Sequence, residues 1–445
     1  MTFSEFRDIL FKLALEKGCE SAEVYASSSE GFSVTVLDSE INKYSVEQTN
    51  GLNLRVLVNG RNGYAYTEVF EDPEELVRHA IDNAAVIEST DVMPMQGACE
   101  YPEIPDVTDP LGAFDEKEKI ELARRLEKDT LAFDSRVTRC DQYNSVNTSV
   151  IKTHIHNTLG LAADSEQSIS YVIVNPILRE GEEEHMGFGF KFRPSPDDIP
   201  GVIKESVENA LLEFNASPVD SGEYRILLRN DAAADLIASF FSMFSAESVQ
   251  KGLSLLNGKL GETIAAPCVS IVDDPFLADN PRAFDGEGVP SEKTDVIKDG
   301  VLASYLYNLK TALKDGVKST SNAGRPSVAS PVGIAPSNFY ITAGEKSFDE
   351  LKKELGSGLI ITELSGLHAG LNPVSGDFSL IAKGQLVENG EAVRSVDQIT
   401  CAGNFLTLMH DIEAVGNDIR WSFGGGFGRV GSPCLLIKKV VVSGK

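Results

Sequence analysis

Residues 51–68, GLNLRVLVNGRNGYAYTE, carry the clearest strand and turn signals in the chain. Apolar and polar residues alternate in the first part of the segment, as they do in a strand that buries one face. Two Asn-Gly pairs follow, at 59–60 and 62–63, and an Asn-Gly pair beside an alternating run is typical of a hairpin turn. The segment therefore predicts a hairpin that turns through both pairs, and an antiparallel sheet around it.

Three helices are predicted in the same half of the chain. Apolar residues recur at helical spacing over 3–17, and Asp72 followed by Pro73 is typical of a helix start. A third helix is predicted over about 115–132. Several prolines and turn residues within 89–113 indicate a connector. Because helix and hairpin occur twice, the pattern also indicates a weak internal duplication.

The stretch FNASPVDSGEY at 214–224 predicts a domain boundary, since Pro, Asp, Ser and Gly cluster between a helix and a strand. We therefore expect an N-terminal domain over 1–218 and a C-terminal domain over 219–445. The C-terminal half begins with a strand and one main helix over 231–249, and continues as strands and turns. The predicted fold class is α+β, with helices and antiparallel hairpins first and a β-rich domain with one main helix at its start second.

Composition limits the classes of function. A net charge of −27 repels polyphosphate and anionic lipid, so we expect neither direct nucleic-acid binding nor membrane association. The apolar runs are too short to span a bilayer, and the first residues predict an amphipathic helix and not a signal peptide. Six scattered cysteines without a CxxC pair indicate reduced thiols and a cytoplasmic location.

The histidines form no HExxH zinc motif. His154 and His156 would share one face of a strand, but no third ligand is evident nearby, so we interpret them as part of a solvated strand. Glu182, Glu183, Glu184 and His185 predict a charged hairpin tip, with weak cation binding as the alternative.

Two further motifs bear on possible binding or catalytic sites. GGGFG at 424–428 lacks the GxGxxG spacing of a phosphate-binding loop, and predicts a mobile loop or a place of close backbone approach. There is no GxSxG motif, and Ser375 has no histidine at local spacing. A serine or cysteine hydrolase is therefore a less favoured alternative.

Three long segments resemble the TldD/PmbA family, also called modulators of DNA gyrase. They are FDGEGVPSEKTDVIKDGVLASYLYNLKTALKDG (284–316), TELSGLHAGLNPVSGDFSLIAKG (362–384) and QLVENGEAVRSVDQITCAGNFLTLMHDIEAVGNDI (385–419). The resemblance covers nearly the whole chain. It implies a cytoplasmic protein of a metallopeptidase family that is linked to proteolysis and peptide maturation, in which a TldD branch carries an HExxxH zinc motif and a PmbA/TldE branch lacks it.

The same resemblance places the HExxxH slot. When QKGLSLL at 250–256 is matched to the segment that follows the zinc helix in the family, the slot falls on IASFFS at 237–242, where Ile237, Ala238 and Ser242 stand. The C-terminal segment RWSFGGGFGRVGSP contains no cysteine for the third ligand. The chain therefore resembles the PmbA/TldE branch. We expect no metal site and no catalytic residue here, and expect zinc only on a TldD-type partner.

The glycine-rich segment SGLHAGLNPVSGDFS is implied to accompany the catalytic cleft of the family without supplying ligands. Asp377 suits a turn in which it bonds its own backbone. The residues expected to line the cleft or bind peptide are His368, Asn372, Gly376, Asp377 and Phe378.

The expected function is a non-catalytic, peptide-binding subunit of a two-component metalloprotease. Its expected partners are a TldD-type zinc protease subunit, a second copy of itself, or both, together with an extended peptide substrate. Two alternatives are a stand-alone metallopeptidase with unrecognised ligands and a homodimeric peptide-binding protein without a protease partner.

Overall fold

The computed structural model describes residues 1–87, 91, 93–422 and 428–445. The chain forms two compact units. The N-terminal unit comprises 1–100, 106–214 and 327–331, and the C-terminal unit comprises 101–105, 215–326 and 332–445. The main division lies between residues 214 and 215, whereas the sequence predicted it between 218 and 219. Positions 89, 90 and 92 of the predicted connector lie outside the described residues.

The N-terminal unit is built around an antiparallel sheet with strand order β3-β2-β1-β5-β6-β9, and β4, β7 and β8 form a smaller sheet. Its helices are α1 (Phe3–Glu16), α2 (Pro73–Val86), α3 (Glu116–Phe133) and α4 (Ile199–Leu211), with a 3₁₀ turn at Pro196–Asp198. Its strands are β1 (Ser21–Leu37), β2 (Glu40–Val58), β3 (Arg61–Thr67), β4 (Val137–Cys140), β5 (Ser145–Asn157), β6 (Ala162–Val174), β7 (Pro176–Glu180), β8 (Glu183–Met186) and β9 (Gly189–Phe192).

The predicted helix starts are confirmed. Each start is fixed by a local cap. The Asp72 side chain accepts a hydrogen bond from the Glu75 amide at 3.0 Å, and Pro73 occupies the first turn of α2. Asp115 and Glu118 cap each other's amides at the start of α3. Such caps satisfy amides that have no partner within the helix. The buried faces of α1 and α2 then pack on the apolar face of β1 and β2.

The predicted hairpin turn is confirmed at its first Asn-Gly pair only. Asn59 and Gly60, with φ of 51° and 70°, join β2 to β3. The prediction that Asn62 and Gly63 also turn is wrong, since both lie within β3. A Cβ atom on Gly63 would stand 1.9 Å from the Ala80 carbonyl oxygen. Gly63 therefore allows α2 to approach the strand, which is a packing requirement and not a turn requirement.

The C-terminal unit contains a closed sheet and an open one. Strands β10, β17, β18, β19 and β23 close into a barrel because β10 pairs with both β17 and β23, and β20 adds to β23. The open sheet has the order β13-β12-β11-β16-β22-β21. The helices are α5 (Asn230–Phe240), α6 (Ala246–Gln250), α7 (Leu309–Asp315), α8 (Phe348–Leu355) and α9 (Phe405–His410). The strands are β10 (Gly222–Leu228), β11 (Ile271–Asp273), β12 (Thr294–Lys298), β13 (Val301–Leu302), β14 (Ala323–Gly324), β15 (Gly333–Ile334), β16 (Asn338–Ile341), β17 (Gly358–Ser365), β18 (Asp377–Glu388), β19 (Glu391–Asn404), β20 (Ile412–Val415), β21 (Arg420–Trp421), β22 (Arg429–Ser432) and β23 (Leu435–Ser443).

The single helix predicted over 231–249 is divided in the structure. Helix α5 ends at Phe240, a 3₁₀ turn follows at Phe241–Phe244, and α6 begins after Ser245. Leu306 interrupts the helix, because its amide donates to the Phe244 carbonyl and its carbonyl accepts from the Ala246 amide, both at 2.9 Å. These bonds from a distant segment replace helical ones.

The predicted α+β class is confirmed, with 24% helix and 39% strand and a β-rich C-terminal unit that has α5 near its start. Asp299 and Gly300, with φ of 48° and 82°, form the turn between β12 and β13. No helix in the described part of the chain has the length and hydrophobicity that a membrane crossing requires.

Candidate peptide-binding loop and zinc slot

The loop between β17 and β18, residues 366–376, is here called the glycine loop. It is folded tightly on itself, because the Gly366 carbonyl accepts hydrogen bonds from the amides of Ala369 at 3.0 Å and Gly370 at 2.7 Å. The Gly370 carbonyl in turn accepts from the Ser379 amide of β18 at 2.7 Å. The loop is therefore a defined structure supported by the barrel, and it presents its side chains from a fixed backbone.

Asn372 organises the second half of the glycine loop. Its side-chain oxygen accepts from the Val374 amide at 2.9 Å, and its carbonyl accepts from the Gly376 amide at 2.8 Å. The sequence assigned such a turn to Asp377, and that assignment is wrong. The Asp377 carboxylate instead accepts from Asn404 Nδ2 at 2.9 Å. Hydrogen bonds from Asn404 and then Ser375 hold the pKa of Asp377 below its usual range.

The predicted peptide-binding residues divide by exposure. His368, Asn372 and Asp377 are exposed at the loop surface, whereas Gly376 is buried with a φ of +80°. Phe378 is only 6% exposed, and its ring lies 6.4 Å from that of Phe240 in the core. Phe378 thus supports the loop from below, and the three exposed polar side chains are the ones that a ligand can reach.

The predicted zinc slot lies on α5 and the 3₁₀ turn that follows it. Ile237 is 2% exposed, Ala238 packs against the same core, and Ser242 is exposed. The apolar side chains of this helix, Leu236, Ile237 and Phe240, pack in the main core. Because the rings of Phe240 and Phe378 are in contact, the slot helix and the base of the glycine loop share one core.

An acidic group beside the slot was missed by sequence reasoning. Burial, reinforced by the negative charges of Asp231 and Glu363, raises the pKa of Asp235 to about 6. Asp231 is itself paired with Arg229, with 2.5 Å between Nη2 and Oδ2. The available signal was the spacing of Asp231 and Asp235, four apart on one helix face. The contribution of Glu363 from β17 is not local and had no signal in the sequence.

The C-terminal segment matched to the third zinc ligand is only partly described. Residues 424–427 of the GGGFG motif lie outside the described residues. Cys434, just beyond this segment, is fully buried, and its thiol donates to Asp418 Oδ2 at 3.1 Å. Burial and the adjacent Asp418 charge raise the pKa of Cys434, which opposes formation of the thiolate that a metal ligand requires.

The histidine pair of the N-terminal unit does have a third potential ligand. Asp164 lies on β6 directly opposite His154, and it forms hydrogen bonds with both His154 and His156. The interpretation that nothing nearby could complete the pair is therefore wrong, because the ligand comes from the neighbouring strand. The predicted charged hairpin is present as β7–β8, but only Glu182 lies in its turn, and Glu183, Glu184 and His185 lie on strand β8.

Comparison with known proteins assigns all of this architecture to one family. Models of PmbA/TldA metallopeptidase domains match consecutive parts of the chain, with domain 1 at residues 22–84, the central domain at 109–213 and the C-terminal domain at 221–444. The metalloprotease PmbA of Escherichia coli O157:H7 is 28% identical over 90% of this chain and 88% of its own length. A metalloprotease TldD homolog of Haemophilus influenzae is 26% identical over 98% of this chain and 95% of its own length.

Solved structures agree with these matches. A protein from Thermotoga maritima, described as a modulator of a DNA gyrase, is 36% identical, with 99% of this chain and 100% of that chain covered and a TM-score of 0.89. TldE from Thermococcus kodakarensis shares the fold with a TM-score of 0.88 at 23% identity, over 99% of this chain and 100% of its own. The chain described here therefore belongs to the PmbA/TldD metallopeptidase family.

Proposed function

We propose that this chain is a non-catalytic, peptide-binding subunit of a two-component metalloprotease. In this proposal a TldD-type partner supplies the zinc ion and the general base. The present chain binds an extended peptide and confines it. Its six scattered cysteines, with no CxxC pair among them, are in keeping with a reducing, cytoplasmic location.

The chemistry of the zinc slot carries the proposal. A catalytic zinc site needs about three His, Cys or carboxylate ligands and one open position for water. The slot offers two alkyl side chains, Ile237 and Ala238, and the hydroxyl of Ser242. The core packing of Ile237 also leaves no room for a polar ligand to reach outward from that position without repacking. Without bound metal, no water is acidified at this helix.

The glycine loop supports the peptide-binding part of the proposal. His368, Asn372 and Asp377 present a ring, an amide and a carboxylate from a backbone fixed by its own hydrogen bonds. Such polar groups can bind peptide main-chain amides and carbonyls without requiring one side-chain sequence. In the described part of the chain, β13 and β21 are the edge strands of the open sheet. An extended peptide can pair with such an edge strand.

The test is reconstitution with an HExxxH-containing family member from the same host. The chain alone, the partner alone and the mixture are incubated with an unfolded peptide, and cleavage is followed by mass spectrometry. We expect efficient cleavage by the mixture only, abolished by a chelator and by replacing the glutamate of the partner's motif with glutamine. Chelator-sensitive cleavage by the present chain alone would contradict the proposal, and its loss in Asp235→Asn would then point to a stand-alone peptidase.

A further inference from the structure

The N-terminal unit brings two histidines and one aspartate together on one sheet face. His154 and His156 are two residues apart on β5, so their side chains project from the same face. Asp164 on β6 is the cross-strand neighbour of His154. Helix α1 covers this face, and the Phe3 ring stacks on the His154 ring with 4.6 Å between centroids. The sheet register and the helix together hold the three side chains in place.

The hydrogen bonds make the three potential ligand atoms converge on one point. His154 Nδ1 lies 2.5 Å and His156 Nε2 lies 2.8 Å from the same oxygen, Oδ1 of Asp164. One nitrogen or oxygen from each residue lies within 4.8 Å of the other two. Burial works to raise the pKa of Asp164, but hydrogen bonds from His154 and His156 outweigh it and hold that pKa below its usual range. The carboxylate is therefore charged at neutral pH.

We propose that His154, His156 and Asp164 form a binding site for a divalent transition-metal ion of the zinc, nickel and copper class. Two imidazoles and one carboxylate are a common donor set for these ions, and three protein ligands leave further positions for water. The His154 and Asp164 side chains are 32% and 57% exposed, so an ion can enter from solvent. The His156 side chain is only 10% exposed, so its surroundings hold the ring in a fixed position.

Metal binding requires only a small rearrangement of the three ligand side chains. Metal bonds of about 2.0–2.2 Å place neighbouring ligand atoms roughly 3 Å apart. The separations of 2.5 and 2.8 Å around Asp164 would therefore open by a few tenths of an ångström. The protons balance without an added reactant, since each neutral imidazole moves its proton to the nitrogen that does not bind the metal. A protonated imidazole would instead release one proton to solvent, which makes binding weaker in acid.

Arg7 contacts His156 and would compete with a bound metal ion. One guanidinium nitrogen of Arg7 lies 2.7 Å from His156 Nδ1, and Asp8 holds the same guanidinium at 2.7 Å. Arginine only donates hydrogen bonds, so His156 Nδ1 accepts one in the metal-free state and its proton is on Nε2. When a metal occupies Nε2, the proton moves to Nδ1 and faces another donor, so Arg7 must turn away. Arg7 therefore opposes the metal through both its hydrogen bond and its charge.

The test uses the full chain, stripped of metal and titrated separately with zinc and cobalt by calorimetry and by visible absorption of cobalt. We expect one ion per chain in the wild type, at least tenfold weaker binding in His154→Gln and in Asp164→Asn, and unchanged binding in His410→Gln, a control at an exposed histidine of the C-terminal unit. We expect Arg7→Gln to bind several-fold more tightly than the wild type. A rise in melting temperature with added zinc should follow the same order.

Equal titrations of the wild type and His154→Gln, both with unaltered circular dichroism, would overturn the proposal. So would weaker binding in Arg7→Gln with the fold intact, because it would show that Arg7 supports the site. Neither result bears on the proposed peptide-binding function, which rests on the C-terminal unit and is read by peptide cleavage.

Discussion

Gly376 shows how a single backbone angle supports the glycine loop. Its φ is +80°, and a Cβ atom there would lie 3.0 Å from Asn404 Nδ2 and 3.1 Å from a Leu255 methyl carbon. Gly366, in the same loop, has a φ of +86° but open space around the added atom. The two positions therefore separate the cost of the backbone angle from the cost of crowding.

We expect Gly366→Val to lower the stability of the C-terminal unit by about 1–2 kcal/mol, and Gly376→Val to lower it by about 1 kcal/mol more. Both substitutions place a valine in the unfavourable left-handed backbone region. Only Gly376→Val also displaces Asn404. Urea unfolding followed by the fluorescence of Trp421, the single tryptophan, measures this in the C-terminal unit. Equal losses in the two variants would contradict the crowding argument.

His368 is exposed, and its ring forms no hydrogen bond with any residue that the structure describes. A general base is normally oriented by a partner, so this position favours a binding role. We expect His368→Ala to keep peptide cleavage by the reconstituted complex within about tenfold, or about 1.4 kcal/mol of barrier. A fall of several orders of magnitude in turnover, with the complex still assembled, would show instead that His368 acts in the chemistry.

Asp235 gives a prediction for pH dependence. Burial first, and then the charges of Asp231 and Glu363, raise its folded pKa to about 6 from an ordinary value of 3.8. The folded state therefore binds more protons than the unfolded state between these values, and this group makes stability fall as pH rises from about 4 to about 6. Above that range the destabilisation is complete.

We expect Asp235→Asn to be more stable than the wild type by about 1–3 kcal/mol at pH 7, with the difference vanishing near pH 4. Urea unfolding at a series of pH values checks this. A difference that stays constant across pH would mean that Asn acts through packing or hydrogen bonding and not through removal of the charge.

At the scale of elements, the 3₁₀ turn after α5 is packed through aromatic rings. Phe339 on β16 lies 5.2 Å from the Phe244 ring and 5.3 Å from the Phe241 ring, so the 3₁₀ turn places both rings on one strand residue. Phe244 is fully buried, and Phe241 is only partly buried.

We expect Phe244→Ala to cost about 3–5 kcal/mol, because it leaves a cavity in the main core, and Phe241→Ala to cost about half as much. Urea unfolding at pH 7, followed by Trp421 fluorescence, compares the two variants directly. If the Phe241 variant proved the more damaging, the turn and not the buried ring would be the main source of stability.

The elements that sequence reasoning identified are those with local causes. Asp72, Asp115 and the Asn59-Gly60 turn act within a few residues of themselves, so the sequence alone predicts them. The break at Ser245 depends on hydrogen bonds with Leu306, far along the chain, and no local pattern reports it.

The same distinction applies to the sites. The zinc slot was placed through family resemblance, and its core packing follows from helical spacing. The Asp164 ligand to the histidine pair follows from the β5–β6 register, which a hairpin prediction can supply only when both strand ends are known. Glu363 beside Asp235 comes from a separate strand, so its effect on the Asp235 pKa required the tertiary structure.

At the scale of the whole molecule, the proposed function requires a second subunit, and two exposed leucines of the C-terminal unit give a place to test for its interface. Leu253 after α6 and Leu313 on α7 are 51% and 54% exposed, and Gln250 Nε2 joins the two helices by donating to the Thr311 carbonyl at 2.8 Å. Exposed apolar side chains on neighbouring elements are typical of a protein interface.

We expect the chain to form a dimer, with itself or with a TldD-type partner, through an interface of more than roughly 1,000 Å² in its C-terminal half. Leu253→Glu combined with Leu313→Glu should weaken this dimer at least tenfold, because two charges would be buried without partners. Leu15→Glu, at a 49% exposed position of α1, serves as the control and should have no effect. Light scattering at micromolar concentration and pull-down from the native host measure both forms of the dimer. A monomeric wild type that recovers no HExxxH-containing protein would contradict the assembly, and an unchanged dimer in the double variant would place the interface elsewhere.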